Sequence, residues 1–421
     1  MGSQQRGLPT NEARTVAQAT RAAPTTELRP SPRLTTGTIR SYSNESVPKS
    51  VTLNHATMRR SLLPLLVLTA AIGPLALAQS ISIEDFDPKS TLRVPAHKPT
   101  RAKFPFIDVH THHRDVTPDK IKRLIADMDG LNMGALVNSP VGGGHGKWVV
   151  NALAAMQAAA PGRFAVMTNI DYAGLDDPDY PARAAAQVEA DIKAGAVGLK
   201  VWKHLGMMLK DGRGQRIKVD DPRFDGVWVV CANYKIPVLI HTADPAGLFQ
   251  PMDKDNERWL ELKLRANRNQ SEQTNFTWDQ LIAEQHALFT RHPQTIFINA
   301  HFGWLANDLD RLGALLDRLP NVYTEIGAIT SDLGRQPRAA KRFLTKYQDR
   351  VLFGKDAYNV SEYHVYFRLL ETDDEYFDPI RKYHGIWKLY GLDLDDAVLK
   401  KLYYKNALRL FPTLSKAGFP E

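Results

Sequence analysis

Eight short apolar, β-rich runs alternate with longer amphipathic stretches, and this alternation predicts an α/β protein built as a (β/α)8 barrel. Two further observations support that fold. A doubly wound open sheet would want a glycine-rich turn after its first strand, but the turn here reads Thr111-His112-His113-Arg114. The length of 421 residues also accommodates one barrel of about 250 residues together with extensions.

The predicted strands are Phe106–His112, Gly134–Ser139, Phe164–Asp171, Val197–Trp202, Pro237–Thr242, Thr295–Phe302, Val322–Gly327 and Val351–Asp356. Between them, Asp119–Met128, Val149–Ala159, Ala182–Ala194, Leu305–Leu319 and Arg338–Tyr347 carry the apolar spacing of surface helices. Two segments depart from an even barrel. A long polar insertion after strand 5, about Ala243 to Gln294, holds two candidate helices, Asn256–Arg265 and Trp278–Arg291. Beyond strand 8, Ser361–Phe411 forms an aromatic-rich C-terminal helical extension. Both are expected near the mouth of the barrel or capping it, where they would shape specificity.

The barrel and its extension span residues 104–411, with an N-terminal linker over 79–103 and a tail over 412–421. Residues 1–57, rich in Arg, Thr, Ser, Pro and Ala without an apolar period, read as a disordered leader. Met58-Arg59-Arg60 precedes an uncharged run from Ser61 to Leu77 that ends in Ala76-Leu77-Ala78. That pattern is a signal peptide over 58–78, which makes Met58 the expected start and export to the periplasm or medium the expected destination. Pro64, Gly73 and Pro74 make the run a poor permanent membrane span.

The formal net charge of +8 belongs to the leader, because residues 1–60 carry 9 basic and 3 acidic side chains. The region beyond residue 78 has 45 basic against 43 acidic residues, which gives no electrostatic reason to expect a nucleic-acid partner. The single cysteine, Cys231, excludes an intramolecular disulfide and reads as a packing residue.

Polar residues at the ends of the predicted strands carry the chemistry. His110 and His112 are two apart on strand 1 and share a face. His241, His301 and Asp356 end strands 5, 6 and 8, the rim on which barrel enzymes place their active sites. Imidazoles with a carboxylate suit zinc or another divalent transition ion.

As a set, "FIDVHTH", "GLKVW", "PVLIHT", "INAHFGW", "LFGKDA" and the closing "YYKNALRLF" resemble the amidohydrolase superfamily. The likeness is to its branch of small hydrolases and non-oxidative decarboxylases, over about Phe104 to Phe411. The resemblance implies that His110, His112 and His241 ligate one divalent metal, zinc by expectation. Asp356 would touch the metal and take the proton of its water, and His301 would polarise the substrate. Dinuclear members carry a carbamylated lysine at the end of strand 4. Lys200 stands there, so a second metal is the alternative to an unmodified, substrate-orienting Lys200.

Lys203, His204 and Glu325 join Lys200 as candidate substrate-binding residues. Asp108 reads either as an outer hydrogen-bond acceptor or as a structural one, while His113 and Arg114 read as a solvated loop. Gly142-Gly143-Gly144-His145-Gly146-Lys147 lacks the phosphate-loop spacing and reads as a flexible loop at the mouth. The expected activity is hydrolysis of an amide, cyclic amide, lactone or ester. A decarboxylase with the same metal shell is the alternative, and a catalytically idle ligand-binding barrel is the third reading. The expected partner is a small-molecule substrate, and the aromatic extension could also serve a homo-oligomer.

Overall fold

A computed structural model describes residues 80–420 apart from Gln273. The leader, the signal peptide and its cleavage point fall outside the described residues. Among the described residues, no helix is long and apolar enough to cross a membrane.

Eight strands follow one another in chain order: β1 Phe106–Thr111, β2 Met133–Asn138, β3 Phe164–Val166, β4 Leu199–Val201, β5 Val238–Ile240, β6 Phe297–Asn299, β7 Val322–Glu325 and β8 Val351–Leu352. All pairings are parallel, in two arcs ordered β1-β2-β3 and β4-β5-β6-β7-β8. Single parallel bridges, Thr111 with Asp356 and Thr168 with Leu199, join the arcs at both edges. Across the first seam, Asp356 N–H donates to the His110 carbonyl at 2.7 Å and Val109 N–H to that of Phe353 at 3.0 Å. The architecture is the TIM barrel that the run spacing predicts.

The strands are shorter than the apolar runs, and the reason is local. After β5, β6, β7 and β8 the chain enters left-handed backbone at Ala243, His301, Ala328 and Asp356, with φ of 63°, 58°, 58° and 80°. Left-handed backbone departs from strand geometry, so the regular ladders stop short of it, and Asp356 keeps only its single bridge to Thr111.

The outer helices follow the apolar periodicity. Pro118–Leu131 opens with proline in its first turn and ends on left-handed Asn132, and it buries Ile121, Leu124, Met128 and Leu131 along one stripe. Trp278–Arg291 starts with a capping box in which Thr277 accepts from Gln280 N–H at 3.2 Å and Gln280 from Thr277 N–H at 2.8 Å.

Two expectations need correction. The first insertion helix covers only Trp259–Leu264, because Asn256 is drawn into a turn: its amide donates to the carbonyls of Gly247 and Pro251. The C-terminal extension is helical only at its two ends, Val360–Glu371 and Asp396–Leu410 with a π-turn at Lys401–Lys405. Pro379, Gly385 and Gly391 break the stretch between them, leaving one 3₁₀ turn at Lys382–His384. The ends pack on the β1–β8 seam, where Phe106 meets Phe353 at 4.8 Å, Phe367 at 5.5 Å and Tyr403 at 5.9 Å between ring centroids. The linker forms a turn over residues 83–85 and is held by His97, whose backbone N–H donates to Asp374 at 2.7 Å.

A chain of alternating charges fastens the insertion over the rim. Lys203 reaches Asp244 at 2.6 and 2.8 Å, and Arg268 joins Asp244 at 3.3 Å and also pairs with Glu261. Arg258 bridges Glu261 at 3.2 Å and Asp332 at 3.4 Å, and Arg335 runs from Asp332 at 3.1 Å out to Glu257 at 2.9 Å. Glu261 is fully buried and pairs with both Arg258 and Arg268, which keep Asp332 and Asp244 as their other partners. Glu261→Ala breaks the two pairs at the buried end of this chain and should lower unfolding stability by up to about 3–5 kcal/mol in chemical denaturation. Glu257→Ala, at the 60%-exposed end of the same chain, should cost less than about 1 kcal/mol.

Candidate metal centre

The ends of four strands deliver one cluster of five side chains. His110 lies on β1 and His112 just beyond it, His241 follows β5, His301 follows β6, and Asp356 follows β8. The left-handed turn through His301, Phe302, Gly303 and Trp304 swings the His301 ring inward, where Trp304 stacks on it at 4.6 Å. His110, His301 and Asp356 each offer a ligand atom within 4.8 Å of the others. His112 Nε2 lies 2.9 Å from Asp356 Oδ1, and His241 Nδ1 lies 3.3 Å from His301 Nε2.

The outer nitrogen of each ring settles its proton. His110 Nδ1 faces Glu325 Oε1 at 3.1 Å, and His112 Nδ1 faces the Ser139 carbonyl at 2.5 Å. His241 Nε2 faces the Ala243 carbonyl at 3.1 Å, and His301 Nδ1 that of Gly327 at 2.8 Å. Carbonyls and carboxylates only accept, so each of these nitrogens donates its N–H. The four inner nitrogens are then lone pairs. Two of them face each other, and one faces a carboxylate. Such contacts are repulsive between neutral imidazoles unless a cation lies among them, and this donor set fits a divalent metal.

Burial favours the neutral form of His110 and His241. It pushes His110 down to about 3, assisted by the nearby Lys200 charge, and His241 well below its ordinary value, assisted by His301 and Lys200. Lys200 Nζ lies 2.7 Å from His110 Nε2, and burial lowers this ammonium to about 8.

The expected division of roles put His301 outside the ligand set, with His112 and His241 inside it. The geometry groups His301 with His110 and Asp356 and puts His112 and His241 one contact further out. Of the substrate-binding candidates, Lys200 and His204 line a cavity of about 290 Å³ with Asn169, Tyr172 and Trp202. Lys203 is instead paired with Asp244. Glu325 is fully buried and turned towards His110 and His301, away from that cavity. Asp108 reaches no ring: it accepts from the backbone of His110 and Lys355 at 2.9 and 3.2 Å and from Tyr363 Oη at 2.6 Å, fastening β1 to β8.

The glycine-rich loop is tied down. Gly144 N–H donates to Asn169 Oδ1 at 3.0 Å and Gly146 N–H to buried Asp191 at 2.9 Å, while Arg114 donates to the Val141 and Gly142 carbonyls. His113 packs its ring on Tyr358 at 4.8 Å. Sequence reasoning missed Asn169, whose amide also donates to the Lys200 carbonyl at 3.1 Å. It stands just past β3 and obeys the same end-of-strand rule that picked out the histidines.

Among solved structures, an uncharacterised TIM-barrel protein from Bordetella bronchiseptica is similar at 16% identity and a TM-score of 0.46, over 74% of this chain and 99% of that one. A 4-oxalomesaconate hydratase from Rhodopseudomonas palustris is similar at 14% identity and 0.45, over 73% and 96%. A 5-carboxyvanillate decarboxylase from Sphingomonas paucimobilis is similar at 15% identity and 0.45, over 74% and 99%. No curated protein matches the sequence. The family model described as Amidohydrolase matches residues 107–413, from the first strand through the last helix, and the chain belongs to that family.

Proposed function

We propose that this chain is an exported hydrolase that uses one divalent ion, zinc by preference, to cleave a C–N or C–O bond of a small amide, cyclic amide, lactone or ester. The observation that carries the reading is the cluster of four imidazoles and Asp356 at the rim of the barrel, in which His110, His301 and Asp356 offer ligand atoms within 4.8 Å of one another. His110, His301 and Asp356 would hold the ion most directly, with His112 and His241 completing or steadying the set. A divalent ion in such a site lowers the pKa of water towards about 7 and polarises a carbonyl.

The chain's own residues then have defined tasks. Asp356 has Oδ1 engaged by His112, and Oδ2 has no hydrogen bond among the described residues, so Oδ2 is placed to accept the proton of the attacking water. Lys200 supplies the buried positive charge beside the centre, where an oxyanion develops. Lys200 is read here as an unmodified cation beside a single ion, and a carbamylated Lys200 bridging a second ion is the alternative. Tyr172, Trp202 and His204 give the adjoining cavity aromatic walls. Those walls favour the second reading, a decarboxylase that would hold a flat aryl carboxylate against the same centre. Export follows from the charged, apolar and small-residue pattern over 58–78.

Purified protein should contain about one divalent ion per chain by elemental analysis and lose activity on chelation. Two ions with a lysine carbamate would establish the dinuclear form. Asp356→Asn should slow turnover by about 10²–10⁴-fold, since the proton acceptor is lost while the imidazoles remain. Turnover in ¹⁸O-labelled water should place the label in the product, and unlabelled product with stoichiometric carbon dioxide would replace hydrolysis by decarboxylation. Protein recovered from its native host should begin near Gln79, and an N-terminus at Met1 on cytoplasmic protein would remove the export proposal.

A further inference from the structure

Glu325 ends β7 as a buried acidic residue in an otherwise apolar strand, and its contacts give it a task that a substrate-binding role does not. Oε1 accepts from His110 Nδ1–H at 3.1 Å and from the backbone N–H of His301 at 2.7 Å. Oε2 accepts from Gly327 N–H at 2.5 Å. Gly327 is also the residue whose carbonyl takes the His301 Nδ1 proton at 2.8 Å. The space around the carboxylate is reserved for it. A Cβ on Gly327 would stand 2.7 Å from Oε2, and one on Gly354 would collide with the same oxygen.

We propose that Glu325 is a positioning residue that sets the tautomer and aim of two imidazoles at once. It acts on His110 directly, through the ring nitrogen. It acts on His301 through the backbone, by holding the His301 and Gly327 N–H groups that fix the left-handed turn and the carbonyl behind that ring. His110 is 215 residues away in sequence and His301 is 24, so one carboxylate couples β1 to β6 through β7. Three N–H donors compensate the burial of its charge. A carboxylate behind a ligating imidazole also raises that ligand's basicity and fixes its orientation, and losing such a partner costs about 10–100-fold in metal affinity. This inference depends on the metal-centre reading above.

Glutamine at this position has one acceptor oxygen where glutamate has two. In Glu325→Gln, at least one of the three N–H donors must therefore face an amide NH₂. The test compares cobalt(II) binding by the full wild-type chain and by Glu325→Gln, using chelator competition for affinity and visible absorption for ligand geometry. Circular dichroism controls for folding. The expected result is a folded variant that binds cobalt about 10–100-fold more weakly, with an altered visible spectrum. A folded variant with wild-type affinity and spectrum overturns this inference and leaves the metal centre standing. Wild-type protein that takes up no cobalt or zinc overturns the metal-centre reading, and this inference with it. If the variant does not fold, ¹⁵N spectra of the histidine rings in metal-free wild-type protein decide. The inference requires the proton of His110 and of His301 to sit on Nδ1, and an Nε2–H tautomer at His110 overturns it.

Discussion

Left-handed backbone at the ends of β5 to β8 is the constraint on which the centre depends. An extended strand would carry His301 and Asp356 on into the ladder, with their neighbours alternating in and out. The positive φ at Ala243, His301, Ala328 and Asp356 turns the chain just beyond the last regular pairing of each strand. Such conformations cost about 1–3 kcal/mol each in non-glycine residues and persist where the surroundings over-determine them. Here the surroundings are hydrogen bonds: the Ala243 carbonyl takes both His241 Nε2–H and Trp304 Nε1–H, at 3.1 Å each. Asp356 N–H is held by the His110 carbonyl, and the turn at His301 by Glu325.

The same bonds orient the rings, so strain and chemistry share their supports. Each imidazole has its proton drawn outward by an acceptor on a neighbouring strand or loop, which leaves an inward lone pair without any freedom of tautomer. A cluster of four such rings around a carboxylate would be repulsive on its own. It is tolerable because Lys200 stands within it and because its geometry suits a divalent cation, which replaces repulsion between lone pairs by coordination.

Outside this cluster the molecule separates its polar burdens. Asp108, pushed up to about 7 by burial, fastens the β1–β8 seam with Tyr363 and two backbone N–H groups. The charges from Lys203 to Glu257 fasten the insertion to the loops after β4 and β7 in strict alternation of sign. Lys203 is consumed in that chain, which leaves Lys200 as the cation beside the centre. Asn169 and Asp191 hold the glycine-rich loop in place, although its composition alone reads as flexible.

Much of this was legible in the chain before folding was considered. Apolar runs separated by amphipathic stretches determine a parallel barrel, because strands buried on both faces read as continuous apolar segments and the covering helices keep one polar face. His110, His112, His241, His301 and Asp356 were legible for the same reason: a polar residue that ends an apolar strand of a parallel barrel must emerge at one rim. The sequence could not say which nitrogen each ring presents, or that Glu325 faces two histidines and Lys203 an aspartate. Apart from His241, whose acceptor is Ala243, those choices depend on acceptors 24 to 215 residues away, and only the ring of strands brings them within hydrogen-bond distance. Local pattern fixes the face on which a residue lies, whereas tertiary structure decides what it meets there.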